Sequence, residues 1–300
     1  MIAALPLPLT HHRVRALWEL TKPRVTGLVV LTTWVGFHLG QRHPAGDAPD
    51  AWRLAATLVG TALASGGAAA LNQYLERDVD ALMRRTAQRP LPSGRLAPED
   101  ALAWGVLLIS GGLLLLLLAA SPLAGLLAAL TVASYVFWYT PLKRRSALCT
   151  LVGGIPGALP PVIGWAAACG TVGLEAWLLF ALMFLWQLPH FLAIAWLYRD
   201  EYAAAGLPML SVVDAGGAAT GRQSLLYALA LLPVSLLPMA CGLAGRTYLA
   251  VAVMLGVAFA AAALLLMLHP ERTAARRLFL ASLLYLPVVL TALALGRARL

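Results

Sequence analysis

Asn72, Glu76 and Asp80 recur at every fourth position where one apolar run ends, and Asp200-Glu201 closes another. On a helix, that i, i+4, i+8 spacing keeps the three oxygen-bearing side chains along one flank. Such a row suits a hard cation. Magnesium is usually held by one or two protein carboxylates plus substrate phosphates rather than by a closed protein cage. The basic residues interleaved with these acids, Arg77, Arg84, Arg85, Arg89, Lys143, Arg144 and Arg145, carry the donors that a diphosphate needs, as guanidinium forks or point charges. Metal and arginine together would stabilise a departing diphosphate. Simple salt bridging is the plainer account for Asp78, Glu99 and Asp100, because exposed pairs are common and weak. It fits the Asn72 row poorly, since uncompensated charge at a membrane edge is expensive.

Two further features could serve a site. Pro90, Pro92 and Gly94 interrupt any helix after Asp80, leaving a stiffened basic segment that works equally as a lid or as a surface turn. His190 follows Pro189 in an otherwise apolar run. It could satisfy a backbone carbonyl freed by the proline, or contact a polar or metal-bearing substrate inside the bundle. Cys149, Cys169 and Cys241 show no CxxC or Cys/His pairing, which argues against a disulfide framework or a zinc site.

These residues have to be positioned by membrane helices. The 300 residues are 61% hydrophobic and 12% charged, whereas soluble domains carry about 25% charged residues. Apolar stretches near 24–41, 52–72, 101–120, 121–141, 149–169, 174–196, 224–244, 246–268 and 277–296 predict an all-α membrane protein of about nine spans. Residues 1–23 lack an apolar signal-peptide core and read as a cytoplasmic tail; 24–296 form one polytopic domain, and 297–300 a short C-terminal tail. With the N-terminus inside, only Arg42, Arg53, Arg246, Arg297 and Arg299 of the 22 Lys and Arg fall outside, in keeping with the positive-inside rule. The net charge of +9 is explained by that topology, without a nucleic-acid partner.

The run Asn72-x3-Glu76-x3-Asp80 resembles the first aspartate-rich motif of the UbiA superfamily of intramembrane prenyltransferases, and Asp200-Glu201-Tyr202 resembles the second. Arg85-Thr86-x2-Arg89-Pro90-Leu91, Tyr139-Thr140-Pro141-Leu142-Lys143-Arg144, the Gly/Pro-rich stretch Gly153–Trp165 and Trp186-Gln187-x-Pro189-His190-Phe191 are similar to the branch that farnesylates haem. Glu76 stands where the general motif has Asp, and Ser146–Thr150 replaces a Pro-Gln-Asn-like stretch. The resemblance implies helices around a central cavity with a cytoplasmic cap. It also implies Mg2+ held by Asn72, Glu76, Asp80, Asp200 and Glu201, with Arg85, Arg89, Lys143 and Arg144 on the diphosphate. Haem b, farnesyl diphosphate and water would give haem O and diphosphate, with His190 as the candidate haem contact. The location implied is the cell inner membrane, where membrane lipid surrounds the chain and a haem A synthase or oxidase assembly partner could take the insoluble product. A quinone-precursor or chlorophyllide prenyltransferase would share the magnesium clusters but not the Trp-Gln-x-Pro-His-Phe segment. An anion transporter would place its ionisable groups near the bilayer midplane rather than at helix ends.

Overall fold

The computed structural model describes residues 11–42 and 50–296. Of the expected terminal tails, residues 1–10 and 297–300 lie outside that description. Among the described residues every regular element is helical. In chain order these are α1 (His11–Leu20), α2 (Pro23–Gly40) and α3 (Ala51–Asp80), then α4 (Pro98–Ala120), α5 (Pro122–Leu142), α6 (Cys149–Cys169) and α7 (Leu174–Leu197). Two short pieces follow, α8 (Arg199–Ala204) and α9 (Leu210–Val213), and then α10 (Ala218–Ala240), α11 (Arg246–Leu268) and α12 (Arg272–Leu295).

Eight of these, α3 to α7 and α10 to α12, are long and apolar enough to cross a membrane. The ninth expected span is α2, whose 18 residues include Arg24 and His38 and are correspondingly more polar. It nevertheless belongs to the bundle, burying Val35, Phe37 and Leu39. Glycines let it lie directly on α6: a Cβ on Gly36 would sit 1.9 Å from the Pro161 carbonyl oxygen, and one on Gly164 1.9 Å from that of Thr33. Only the missing side chains permit two backbones to come so close.

Local chemistry sets the breaks. Asp50 caps α3 by accepting from the Trp52 and Arg53 amides at 2.9 and 3.1 Å. Ser121, in extended backbone before Pro122, ends α4 and caps α5 by accepting from the Ala124 amide. Within α5, residues Ser134–Tyr139 form a π-helical segment, as do Leu116–Ala120 at the end of α4; such distortions are frequent at functional sites. Within the α5 segment Tyr135 and Tyr139 stack with ring centroids 5.3 Å apart.

At 30 residues, α3 is about 45 Å long, against about 30 Å for a bilayer's hydrocarbon core. Its last turns therefore project beyond the apolar zone, and these carry Asn72, Glu76 and Asp80. Residues 81–97, with Pro90, Pro92 and the left-handed Gly94, fold over that end as a packed cap that buries Met83, Thr86, Leu91 and Leu96. Helix α1 completes it, burying Ala16 and Leu20 against Ala70, Leu91, Leu96 and Ala101. Its Glu19 accepts from Arg95 at 2.7 Å, and its Arg13 pairs with Asp100. On the far side of the bundle, α7 and α10 to α12 enclose the largest apolar cluster, which includes the fully buried Trp165, Trp196, Tyr248 and Tyr285.

Candidate active site

The predicted row on α3 is intact and buried, with Asn72, Glu76 and Asp80 only 3%, 4% and 1% exposed. Each is held by a cation or hydroxyl from another part of the chain. Lys143, just past the end of α5, donates to Glu76 Oε2 at 2.9 Å, and Arg89 of the cap donates to Asp80 Oδ2 at 2.6 Å. Asn72 accepts from Lys22 Nζ at 3.1 Å and donates from Nδ2 to Thr140 Oγ1 at 3.2 Å. The cap is fixed to the same point, since Thr86 Oγ1 donates to the Asp80 carbonyl at 2.8 Å.

Sequence reasoning missed Lys22, reading it only as an inside-positive charge. It is the one non-glycine residue among those described with a left-handed backbone, at φ 47°, a conformation that costs an ordinary side chain free energy. Pro23 starts α2 immediately after it, so the turn aims the side chain under the cap. Burial pushes the Lys22 ammonium down to about 7; the neighbouring Arg89 and Lys143 charges add to this, and Glu76 and Asp80 oppose it. Burial acts on Lys143 in the same direction, but there the Glu76 carboxylate prevails and holds the ammonium above its ordinary range. The only sequence signal for Lys22 was a basic residue at the very start of an apolar run.

The second acidic motif divides. Glu201 reaches the cap, where its Oε2 accepts from the Arg85 amide at 3.1 Å, while the Arg85 guanidinium lies over the Tyr198 ring 5.0 Å from its centroid. Asp200 points outward, its side chain 72% exposed and paired with Arg272 at 3.1 Å. Arg144 donates to the Leu75 carbonyl at 3.1 Å, at the margin of the site.

Beneath the charged row lies a cavity of about 300 Å³. Its wall is almost wholly apolar, with Lys22 at one end, Tyr135 and Tyr139 along α5, and Gly153, Pro156 and Gly157 along α6. Gly157 leaves room for Gln187 of α7, whose Nε2 donates to the Gly154 carbonyl at 2.7 Å and ties those two helices together.

His190 stands apart from the charged row, between α7 and α12, while the adjacent Phe191 lines the cavity. The His190 ring stacks on Trp186 and Phe279 with centroids 5.1 and 5.3 Å away, and its Nδ1 lies 2.7 Å from Ser282 Oγ. The Ser282 hydroxyl also lies 2.5 Å from the Phe279 carbonyl. With Nδ1 on Ser282, the His190 Nε2 has no hydrogen-bond partner among the described residues.

The donor set fits magnesium. One amide and two carboxylates lie in line next to Lys22 at one end of the cavity, with Glu201 across the cap and cations alongside to complete the charge balance of a diphosphate. Among the described residues, no three His, Cys, Asp or Glu side chains converge as a closed metal cage.

Buried acids and cations over an apolar pocket in a helical membrane bundle define a class of enzyme that handles a charged head joined to a hydrocarbon chain. A model of the UbiA prenyltransferase family matches residues 29–286, and the chain belongs to that family. It is 46% identical over 284 residues to the protoheme IX farnesyltransferase of Solibacter usitatus (strain Ellin6076), covering 93% of this chain and 97% of the relative. It is 45% identical over 291 residues to that of Opitutus terrae (strain DSM 11246 / JCM 15787 / PB90-1), covering 97% of each. Among solved structures, a digeranylgeranylglyceryl phosphate synthase shares the fold with a TM-score of 0.80 at 16% identity, over 96% of this chain and 99% of the other. A UbiA homologue from Archaeoglobus fulgidus bound to DMAPP and Mg2+ has a TM-score of 0.65 at 14% identity, over 93% of this chain and 99% of the other.

Proposed function

We propose that the protein transfers the farnesyl group of farnesyl diphosphate to a vinyl group of haem b, in a magnesium-dependent reaction at the inner membrane that consumes water and yields haem O and diphosphate. The observation that carries this reading is the buried Asn72-Glu76-Asp80 row with its cations, set at one end of an apolar cavity. Relatives at 42–46% identity named as protoheme IX farnesyltransferases supply the acceptor.

The diphosphate sits among Lys22, Arg85, Arg89, Lys143 and Arg144, and the prenyl chain runs down the cavity. Magnesium, when bound by Asn72, Glu76, Asp80 and Glu201, would neutralise the diphosphate and make it a better leaving group, whereas the outward-facing Asp200 stays outside that set. Arg89 and Lys143 move from their carboxylates to the phosphate oxygens as the carbon–oxygen bond breaks, and hold the negative charge that develops. The allylic cation left behind faces the Tyr135 and Tyr139 rings, whose electron-rich faces stabilise it, in a space that excludes bulk water. The haem vinyl donates its electron pair to the farnesyl carbon. Water then takes up the resulting benzylic-type cation and releases one proton, leaving a hydroxyethylfarnesyl group. His190 positions the porphyrin through its free Nε2, as iron ligand.

The test is an acceptor competition. With farnesyl diphosphate and Mg2+ supplied to the purified protein, haem b, a 4-hydroxybenzoate-type quinone precursor and chlorophyllide are offered together and the products are identified by mass spectrometry. Farnesylated haem as the dominant product supports the reading; dominant farnesylation of another acceptor overturns it. His190→Ala is expected to weaken haem binding and shift the Soret band, and unchanged haem affinity would remove His190 from the mechanism.

A further inference from the structure

The cavity has a closed end. Thr61 of α3, Ala128 of α5 and Ile163 of α6 line it farthest from the charged row. Ala128 and Ile163 belong at the same time to a buried apolar cluster with Phe37, Leu116, Ala124 and Ala166. A chain that reached them would therefore meet close-packed side chains rather than space. The helices also seal against one another at this depth. The Gly36–Pro161 and Thr33–Gly164 contacts join α2 to α6, and next to Thr61 a Cβ on Gly60 would lie 2.7 Å from Leu116.

Two helices measure the cavity's depth. Its lining runs about 12 Å along α3, from Ala69 to Thr61, and about 15 Å along α6, from Gly153 to Ile163, at the helical rise. Three isoprene units laid end to end match that distance, whereas a fourth would have to displace the cluster below.

We infer that Thr61, Ala128 and Ile163 form a floor that sets the maximum length of the prenyl diphosphate, admitting fifteen carbons and excluding twenty. This rests on the prenyl-transfer reading of the same cavity. Overfilling a packed interior forces side chains off their rotamers, so the penalty falls on the longer substrate and leaves the shorter ones untouched.

The experiment compares kcat/KM for geranyl, farnesyl and geranylgeranyl diphosphates, with haem b and Mg2+, in the wild type and in Ile163→Ala and Ala128→Leu. The wild type should favour farnesyl over geranylgeranyl by about ten-fold or more. Ile163→Ala opens the floor and should raise the geranylgeranyl-to-farnesyl ratio by about ten-fold, while Ala128→Leu raises it and should shift preference toward geranyl by a similar factor. If Ala128→Leu does not purify as a folded protein, Ile163→Ala carries the test alone. Equal use of farnesyl and geranylgeranyl by the wild type, or ratios unmoved in the variants, would overturn the floor. Failure of the wild type to turn over farnesyl diphosphate at all would instead overturn the prenyl-transfer reading on which it stands.

Discussion

Glu76 and Asp80 are almost fully buried, and each is paired with a cation, Lys143 and Arg89, that the proposed reaction would transfer to the diphosphate. Breaking such a pair from one side leaves a bare charge in a poorly solvated place. Lys143→Met is therefore expected to destabilise the protein by about 3–5 kcal/mol, read as a lowered thermal midpoint in detergent, and adding Glu76→Gln should recover part of the loss. For turnover the carboxylates matter more. Asp80→Asn and Glu76→Gln should each lower kcat by about 10²–10³, whereas Arg272→Ala, which removes one of the two exposed arginine partners of Asp200, should change stability by less than about 1 kcal/mol. The Asn72 row was legible because helical periodicity alone forces positions four apart onto one flank. Asp200 and Glu201 were not separable, because adjacent residues on a short helix face different ways and only the docking of α8 under the cap selects Glu201. Lys22 comes from fifty residues before Asn72, so no local pattern connects them.

At the level of elements, the site depends on helices that meet where side chains are absent. The α2–α6 contact is the clearest case. Gly164→Val would drive a methyl group into the Thr33 carbonyl, and the cost should reach or exceed the ~1–3 kcal/mol typical of overpacking, measured as loss of a monodisperse, cooperatively unfolding protein. Most spans could be read from apolar run length, including the narrow break at Ser121-Pro122, because serine capping and proline each stop a helix. Helix α2 was placed correctly in sequence, but its 18 residues hold no stretch as apolar as those of the eight longer spans, since Arg24, His38 and its glycines take positions that apolar side chains fill elsewhere. The segment after Asp80 was ambiguous between lid and surface turn. Its buried Met83, Thr86, Leu91 and Leu96 make it a packed cap, a distinction that depends on tertiary contacts with α1 and α8.

Across the whole molecule, charge and apolarity are arranged along one axis, with acids and cations at one end of the bundle and a closed floor within it. The orientation proposed from the basic loops puts that charged end on the cytoplasmic side. With the three native cysteines replaced, an Arg95→Cys variant should react with a membrane-impermeant thiol reagent only from the cytoplasmic side, and Arg246→Cys only from the opposite side; the reverse pattern would invert the topology. The polarity also accounts for how one protein can bring a water-soluble diphosphate and two lipophilic partners together, each entering the environment that suits it. The most direct measurement is to incubate the purified protein with haem b and farnesyl diphosphate, with Mg2+ or with EDTA, and to quantify haem O and diphosphate. The account predicts equimolar haem O and diphosphate with Mg2+, neither with EDTA, and near-complete loss in Asp80→Asn. Haem O formed undiminished in EDTA, or by Asp80→Asn at the wild-type rate, would contradict it.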